Sequence, residues 1–339
     1  MSIINFSILY NLKIGNMKEI EILIDKNKNG KEIDWQGKKI RNKLLSESYK
    51  RLRLKKAYRV AECGTYLEFK RASVDGNLKL NNANFCKDRL CPMCSWRRSL
   101  KIFGQVSKIM DKVTENKDYR FLFLTLTVKN CEGEELSKEI DKLFYAYKKL
   151  MLKSKINKSI KGWFRALEVT HNINKKSKSY NTYHPHFHII LMVNSSYFDD
   201  KNYYITQKEW VKMWRECLGI DYNPQVNIKA FKSNSKARTS KSIAEVSKYT
   251  VKDVDYLLED NEELTDESVY ILNSALRNRR LIAFGKELRK VHKELNLDDV
   301  EEGNLINTDI DEELREDVEE IIEVYRWNIG LSQYVKIKK

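Results

Sequence analysis

His184-Pro185-His186-Phe187-His188-Ile189-Ile190-Leu191-Met192-Val193 is the stretch on which the reading of this chain turns. Its last five residues form a short apolar run rich in β-branched and aliphatic side chains, as in a buried strand. Extending that strand back through the histidines puts His184, His186 and His188 on one face, because side chains alternate along extended backbone. The chain has five histidines in 339 residues, and three of them fall here. Parallel imidazoles at the start of a strand are ready ligands for Zn, Mn or Fe, or for Mg together with carboxylates. Hydrogen-bonded histidines at a sheet edge are the other reading of the pattern.

A second feature lies about sixty residues on, in Glu245-Val246-Ser247-Lys248-Tyr249-Thr250-Val251-Lys252. Ile243, Val246, Thr250, Val254 and Leu257 recur at helical spacing and predict an amphipathic helix. Glu245, Tyr249 and Lys252 follow one another at intervals of four and three, so they share a face. At about 100° per residue that face is centred opposite the apolar stripe. Tyr249 is therefore expected to point outward, beside an acid and a lysine.

His-hydrophobic-His on a strand, followed by Glu-x-x-x-Tyr-x-x-Lys on a helix, resembles the HUH endonucleases. Within them it is similar to the type 1 family of rolling-circle replication initiators of small Gram-positive plasmids. Further blocks match: Glu62-Cys63-Gly64 and Phe85-Cys86 through Leu90-Cys91-Pro92-Met93-Cys94-Ser95-Trp96-Arg97-Arg98, Phe123-Leu124-Thr125-Leu126-Thr127, and Ala166-Leu167-Glu168-Val169-Thr170. The resemblance runs from about residue 55 to about residue 290. It implies an α+β chain: an HUH-type nuclease domain with a mainly antiparallel central sheet flanked by helices, a small four-cysteine zinc module and a helical C-terminal region.

The resemblance also implies an enzyme, a metal-dependent, site-specific single-strand DNA endonuclease and ligase that initiates plasmid rolling-circle replication. Tyr249 would nick the origin by transesterification, leaving a 5′-phosphotyrosine and a 3′-hydroxyl primer, and a second cleavage would terminate the round. A tyrosine oxygen attacking phosphorus is nucleophilic catalysis, and the covalent linkage keeps the energy of the broken bond. Charge developing on the phosphate needs a cation. His186, His188 and Glu168 would hold Mg²⁺ or Mn²⁺, Glu168 ending a run from Trp163 that reads as a neighbouring strand. His184 is open between metal ligand, partner of a ligand, and DNA contact. Lys248 and Lys252 would hold the scissile phosphate or favour tyrosinate, and Glu245 stands where the family uses a glutamate in place of a second tyrosine. His171 and His292 read as ordinary surface histidines. Implied partners are plasmid origin DNA, single-stranded or hairpin at the nick, with a host helicase and DNA polymerase. Rival readings are a mobilisation relaxase or single-strand transposase, and a non-catalytic zinc DNA-binding regulator.

Composition adds a partner class. The formal net charge is +15, yet residues 298–323 hold 13 acids and one arginine, which leaves +27 on the rest. A field of that size favours a polyanion and makes binding salt-dependent. Lys229, Lys232, Lys236 and Arg238 read as a basic loop that guides single-stranded DNA into the tyrosine helix. Four of the six cysteines, Cys63, Cys86, Cys91 and Cys94, suit one structural zinc, with Cys91-Pro92-Met93-Cys94 as its knuckle. Disulfides or free thiols are the alternative, and no secretory signal supports the former. Arg97 and Arg98, beside Trp96, read as DNA contacts. No run reaches the roughly 18 apolar residues of a membrane span, so a cytoplasmic protein is expected. Met17 is a second candidate start.

Four segments follow: 1–50 poorly ordered, 51–116 the cysteine module and a helix, 117–258 the nuclease, and 259–339 helical with the acidic run. Within the nuclease segment the expected order is β-α-β-β-α-β-α, which makes a mainly antiparallel sheet covered by helices.

Overall fold

The computed structural model describes residues 20–27, 30–72, 76–115, 118–231, 243–244, 247, 251–308 and 320–337. From residue 30 on, the N-terminal part departs from the expected disorder. Helix α1 (Trp35–Arg51) begins at Asp34, whose carboxylate accepts from Gly37 N at 2.7 Å. Its buried stripe includes Trp35, Lys39, Asn42, Leu45, Ser46 and Tyr49. That spacing is helical, but polar residues fill half of it, so hydrophobic periodicity does not reveal the helix. Helix α2 (Ala57–Ala61), the hairpin of β1 (Tyr66–Ala72) and β2 (Leu78–Ala83), and helix α3 (Pro92–Thr114) follow. Pro92 opens α3 at its first turn, where no backbone N–H is missed.

The central sheet holds to expectation. Strand β3 (Tyr119–Thr127) leads through α4 (Leu136–Leu152) and the short α5 (Ser154–Ser159) to β4 (Ile160–His171) and β5 (Tyr183–Asn194). Helix α6 (Gln207–Leu218) then leads to β6 (Val226–Ala230). Thr206 and Glu209 close a capping box at the start of α6, and Gly219 ends it in the left-handed region. The strand order is β6-β3-β5-β4-β7, with every pairing antiparallel. One face of this sheet packs on α4: the rings of Phe144 and Tyr147 lie on Phe187 at 5.3 and 5.6 Å. Histidines 184, 186 and 188 are on the other face.

Beyond residue 258 the structure corrects the helical expectation. Helix α7 (Glu262–Leu276) stops before a turn in which Asn278 has a φ of 57°, and β7 (Ile282–Lys286) then joins the central sheet beside β4. Helix α8 (Glu287–Glu294) starts directly after it. Gly162 permits this: a Cβ there would lie 3.1 Å from the backbone nitrogen of Leu288 in α8. Residues 298–308 form no helix, 309–319 lie outside the described residues, and β8 (Glu320–Asn328) and β9 (Gln333–Lys336) are strands. The second sheet has the order β2-β1-β8-β9, so the end of the chain completes the cysteine module's hairpin. Buried Glu323 fixes that junction through Arg71 at 2.9 Å and Lys336 at 2.8 Å. Ile321, Ile322, Val324, Tyr325 and Trp327 are β-formers, and the acids around them mask the signal. The helix expected through Leu257 also ends early: Lys252 is extended, Asp253–Asp255 is a 3₁₀ turn, and Val254 is exposed. No helix among the described residues is long and apolar enough to cross a membrane.

Candidate metal centres

Register across β3, β5 and β4 builds the first centre. Glu168 lies directly opposite His186, and Thr125 and Ala166 flank His188 on either side. Directly opposed residues of an antiparallel pair share a face with Cβ atoms about 5 Å apart. Ala166 fills little of its position, and the Glu168 carboxylate reaches across to His188. Glu168 Oε2 lies 2.9 Å from His188 Nε2 and 3.6 Å from His186 Nε2, and the two Nε2 atoms are 3.1 Å apart. All three residues are under 10% exposed.

The outer nitrogens are held from behind. His186 Nδ1–H donates to the His184 carbonyl at 3.0 Å, which leaves its Nε2 with a lone pair. His188 Nδ1 is 3.3 Å from Thr125 Oγ1. With neutral rings, a proton on His188 Nε2 can serve only one of its two neighbours. Burial works to raise the Glu168 pKa, but the imidazoles of His186 and His188 beside it outweigh burial and hold the carboxyl well below the usual range. Three electron-rich atoms thus converge in a buried spot. Metal bonds of about 2.1 Å set neighbouring ligand atoms roughly 3.0–3.5 Å apart, which matches the observed spacings. Glu168, His186 and His188 can hold a metal ion. His184 stands outside this group, half-buried and stacked on His186 at 5.1 Å.

Cys63, Cys86, Cys91 and Cys94 form the second centre, all buried and none in a disulfide. Sulfur separations of 3.5 Å (Cys63–Cys94), 3.5 Å (Cys63–Cys91) and 3.7 Å (Cys86–Cys94) are close to the ~3.8 Å edge of a zinc tetrathiolate. Each sulfur receives at least one N–H. Backbone amides of Cys86, Asp88 and Lys87 donate to Cys63, Cys86 and Cys94 at 3.3, 3.4 and 3.2 Å. The fourth donor is Asn42 Nδ2 of α1, 3.3 Å from Cys91 Sγ. Lys39, one helical turn away and 1% exposed, donates to Asn42 Oδ1 and to the carbonyls of Ala61 and Cys63. Burial lowers the Lys39 pKa, and negative charge on the sulfurs of Cys63 and Cys91 offsets only part of that. Sequence reasoning missed both residues, because neither belongs to a cysteine motif.

Other expected site residues fare unevenly. Lys229 is an exposed residue of β6 rather than of a loop, opposite Phe123 and on the histidine face. Lys252 is exposed. Tyr249, Glu245, Lys248, Lys232, Lys236 and Arg238 lie outside the described residues. Arg97 and Arg98 are corrected: they are 4% and 1% exposed. Arg97 donates to the Leu305 and Ile306 carbonyls, and Arg98 to those of Lys87, Asp88 and Glu301. They fasten residues 301–306 to the cysteine knuckle, so their charge serves backbone carbonyls and not DNA. His171 is likewise no surface residue. It is 2% exposed, stacked on Tyr183 at 4.4 Å, and bonded to Asn181 Oδ1 and the Asp255 carbonyl. His292 is half-buried against Phe284.

With this geometry in place, comparison with known proteins is informative. Residues 77–335 match the profile of the Replication protein family (Rep_1). The chain is 40% identical to "Protein rep" of Bacillus amyloliquefaciens, over 94% of this chain and 98% of that one. It is 38% identical to "Protein rep" of Streptococcus pneumoniae serotype 2, over 93% and 95%, and 38% identical to "Protein rep" of Lactiplantibacillus plantarum, over 93% and 98%. No solved structure matches significantly. Cys63 and α1 precede the matched span.

Proposed function

This chain belongs to the Replication protein family (Rep_1), and from that premise we propose that it is a plasmid rolling-circle initiator that nicks origin DNA through Tyr249. The observation that carries the reading is the convergence of Glu168, His186 and His188 on one sheet face.

In this reading the central sheet is an HUH-type nuclease domain spanning 117–258, extended by β7. The metal, Mg²⁺ or Mn²⁺, would be held by Glu168, His186 and His188, and it supplies positive charge to the scissile phosphate. His184 orients His186 through its carbonyl. Tyr249 Oη attacks phosphorus, the bond to O3′ breaks, and O3′ leaves with a proton as the 3′-hydroxyl primer. Lys248 and Lys252 hold the phosphate, and Lys229, Lys232, Lys236 and Arg238 guide the strand. Origin DNA is the partner, with host helicase and polymerase acting after the nick. The test is a covalent, nuclease-resistant adduct between the protein and a single-stranded origin oligonucleotide in Mn²⁺ or Mg²⁺. Its absence would overturn the reading.

The sequence spacing of Glu245 and Tyr249 suggests how replication stops. A tyrosine bonded to DNA cannot attack twice, whereas a carboxylate one turn away can activate water for a second cut. Glu245 takes that role. Glu245→Ala should nick and attach normally yet fail to release unit-length circles in a two-origin plasmid assay. Normal termination would reduce Glu245 to a surface ion pair, worth about 0–1 kcal/mol.

Zinc is the metal we assign to the cysteine centre. Elemental analysis of protein purified without added metal should give about one equivalent, as a closed four-thiolate site requires. Outer-shell partners commonly change metal affinity by about 10–100-fold. Asn42→Leu and Lys39→Met should each speed chelator-driven zinc release by about tenfold. Unchanged release would show that α1 does not stabilise the site.

A further inference from the structure

The segment that follows Tyr249 in the sequence is fastened to the elements that carry both metal centres. Asp253–Asp255 is a 3₁₀ turn, and Tyr256 and Leu257 after it are 1% and 5% exposed. Tyr256 Oη–H donates to the carbonyl of Leu90, the residue before the knuckle cysteine Cys91. Burial holds that phenol well above its ordinary pKa, so it stays a donor. Asp253 accepts from Arg41 Nε of α1 at 2.7 Å, and Arg41 Nη2 also reaches the Asp34 cap at 3.3 Å. Arg41 stands beside Asn42, whose amide donates to Cys91 Sγ. A third anchor comes from the central sheet: His171 Nδ1–H donates to the Asp255 carbonyl at 2.9 Å. His171 ends β4 three residues after Glu168. The odd interval turns it to the opposite face, so the segment passes the end of the sheet and not over its histidines.

The module behind two of these anchors is itself braced. Asp88 Oδ1 accepts from Leu90 N at 3.0 Å and from Tyr49 Oη of α1 at 2.9 Å, and Asp88 Oδ2 accepts from Lys56 at 2.6 Å. Arg51, at the end of α1, grips Asp266 of α7 at 2.7 and 2.9 Å. The knuckle and α1 thus form one block that α7 holds against the central sheet. Tyr249 precedes Asp253 by four residues. A chain spans at most about 3.6 Å per residue, so a fixed Asp253 keeps the Tyr249 backbone within about 14 Å of it.

We propose that Arg41 and Tyr256 are positioning residues for the nick: the cysteine module grips residues 253–257 and through them holds Tyr249 in reach of the phosphate at the metal site. The inference rests on the nicking reading, and it gives the cysteine module a part in the chemistry besides its own stability. Misplacing a reacting group by about 1 Å can cost about 100-fold in rate. In this role neither residue contributes to binding of the strand or of the metal, so its loss lowers turnover and leaves both affinities alone.

The experiment measures the single-turnover rate of adduct formation at saturating origin oligonucleotide, beside the dissociation constants for that oligonucleotide and for Mn²⁺. Arg41→Met and Asp253→Asn should each slow the adduct by about 10–100-fold, and Tyr256→Phe by about tenfold. The double variant of Arg41→Met and Asp253→Asn should be no slower than Arg41→Met, because both changes remove one shared bond. Arg41→Lys should keep most of the rate, and both dissociation constants should stay within about threefold throughout. Hydrogen exchange of residues 251–258 without DNA should quicken in Arg41→Met and Tyr256→Phe. Unchanged rates, losses that multiply in the double variant, or a rate loss matched by weaker binding would overturn the proposal. A wild type that forms no adduct would sink the nicking reading instead. Exchange would then judge the clamp by itself, and unchanged exchange in both variants would remove it.

Discussion

Replacing Tyr249 with phenylalanine should abolish the covalent protein–DNA adduct and origin nicking, while origin binding persists. Phenylalanine keeps the ring and removes the oxygen that bonds to phosphorus. Loss of a nucleophile that no other group replaces lowers turnover by on the order of 10⁴-fold or more. The phosphate and flanking-strand contacts do not use that oxygen, so the dissociation constant should move by less than about threefold. The measurement pairs a denaturing gel for the adduct with anisotropy on the same oligonucleotide. Continued adduct formation would place the nucleophile on another of the 18 tyrosines. Loss of binding together with nicking would instead make Tyr249 a DNA contact. Among the described residues Tyr49, Tyr147, Tyr183, Tyr197, Tyr256, Tyr325 and Tyr334 are under 5% exposed, which removes seven of the other 17 tyrosines as substitutes.

What the chain discloses by itself depends on how local the physics is. His186 and His188 are legible because a strand repeats every two residues and an apolar run fixes the strand. Glu168 is legible because its run ends in an acid, although only the observed register puts it opposite His186. The cysteines are legible as a set, because thiolate ligands have few other uses in such a spacing. Asn42 and Lys39 are not, since their partners are a sulfur 49 residues away and backbone carbonyls 22 and 24 away. Arg97 and Arg98 mislead for the same reason. A basic pair beside a tryptophan looks like a DNA contact until carbonyls some 200 residues later take up its donors. Strand β8 carries its own β-forming residues, but its partner β1 lies about 250 residues earlier, and the intervening acids read as a solvated helix. Local period finds elements, whereas long-range acceptors decide which charges remain outside.

The largest effect after Tyr249 should come from the metal ligands, and the hydrogen bonds behind them make the expected ranking specific. Glu168→Ala removes the only carboxylate of the group and leaves two imidazole nitrogens 3.1 Å apart. His188→Ala removes the atom nearest that carboxylate. Either change should weaken Mn²⁺ binding by more than the 10–100-fold typical of outer-shell losses, so by at least about 100-fold, with nicking lost in parallel. His186→Ala should behave the same way, because its Nε2 completes the trio. His184→Ala should do far less. The bond that holds His186 runs to the backbone carbonyl of residue 184, and alanine keeps that carbonyl. Thr125→Val should fall between, since it removes only the hydroxyl beside His188 Nδ1. Calorimetric Mn²⁺ titration of the five variants reads the order directly. Unchanged affinity in Glu168→Ala or His188→Ala would remove the metal from this face. A loss in His184→Ala equal to that in His186→Ala would make the third ring a ligand and displace the ion toward the start of β5.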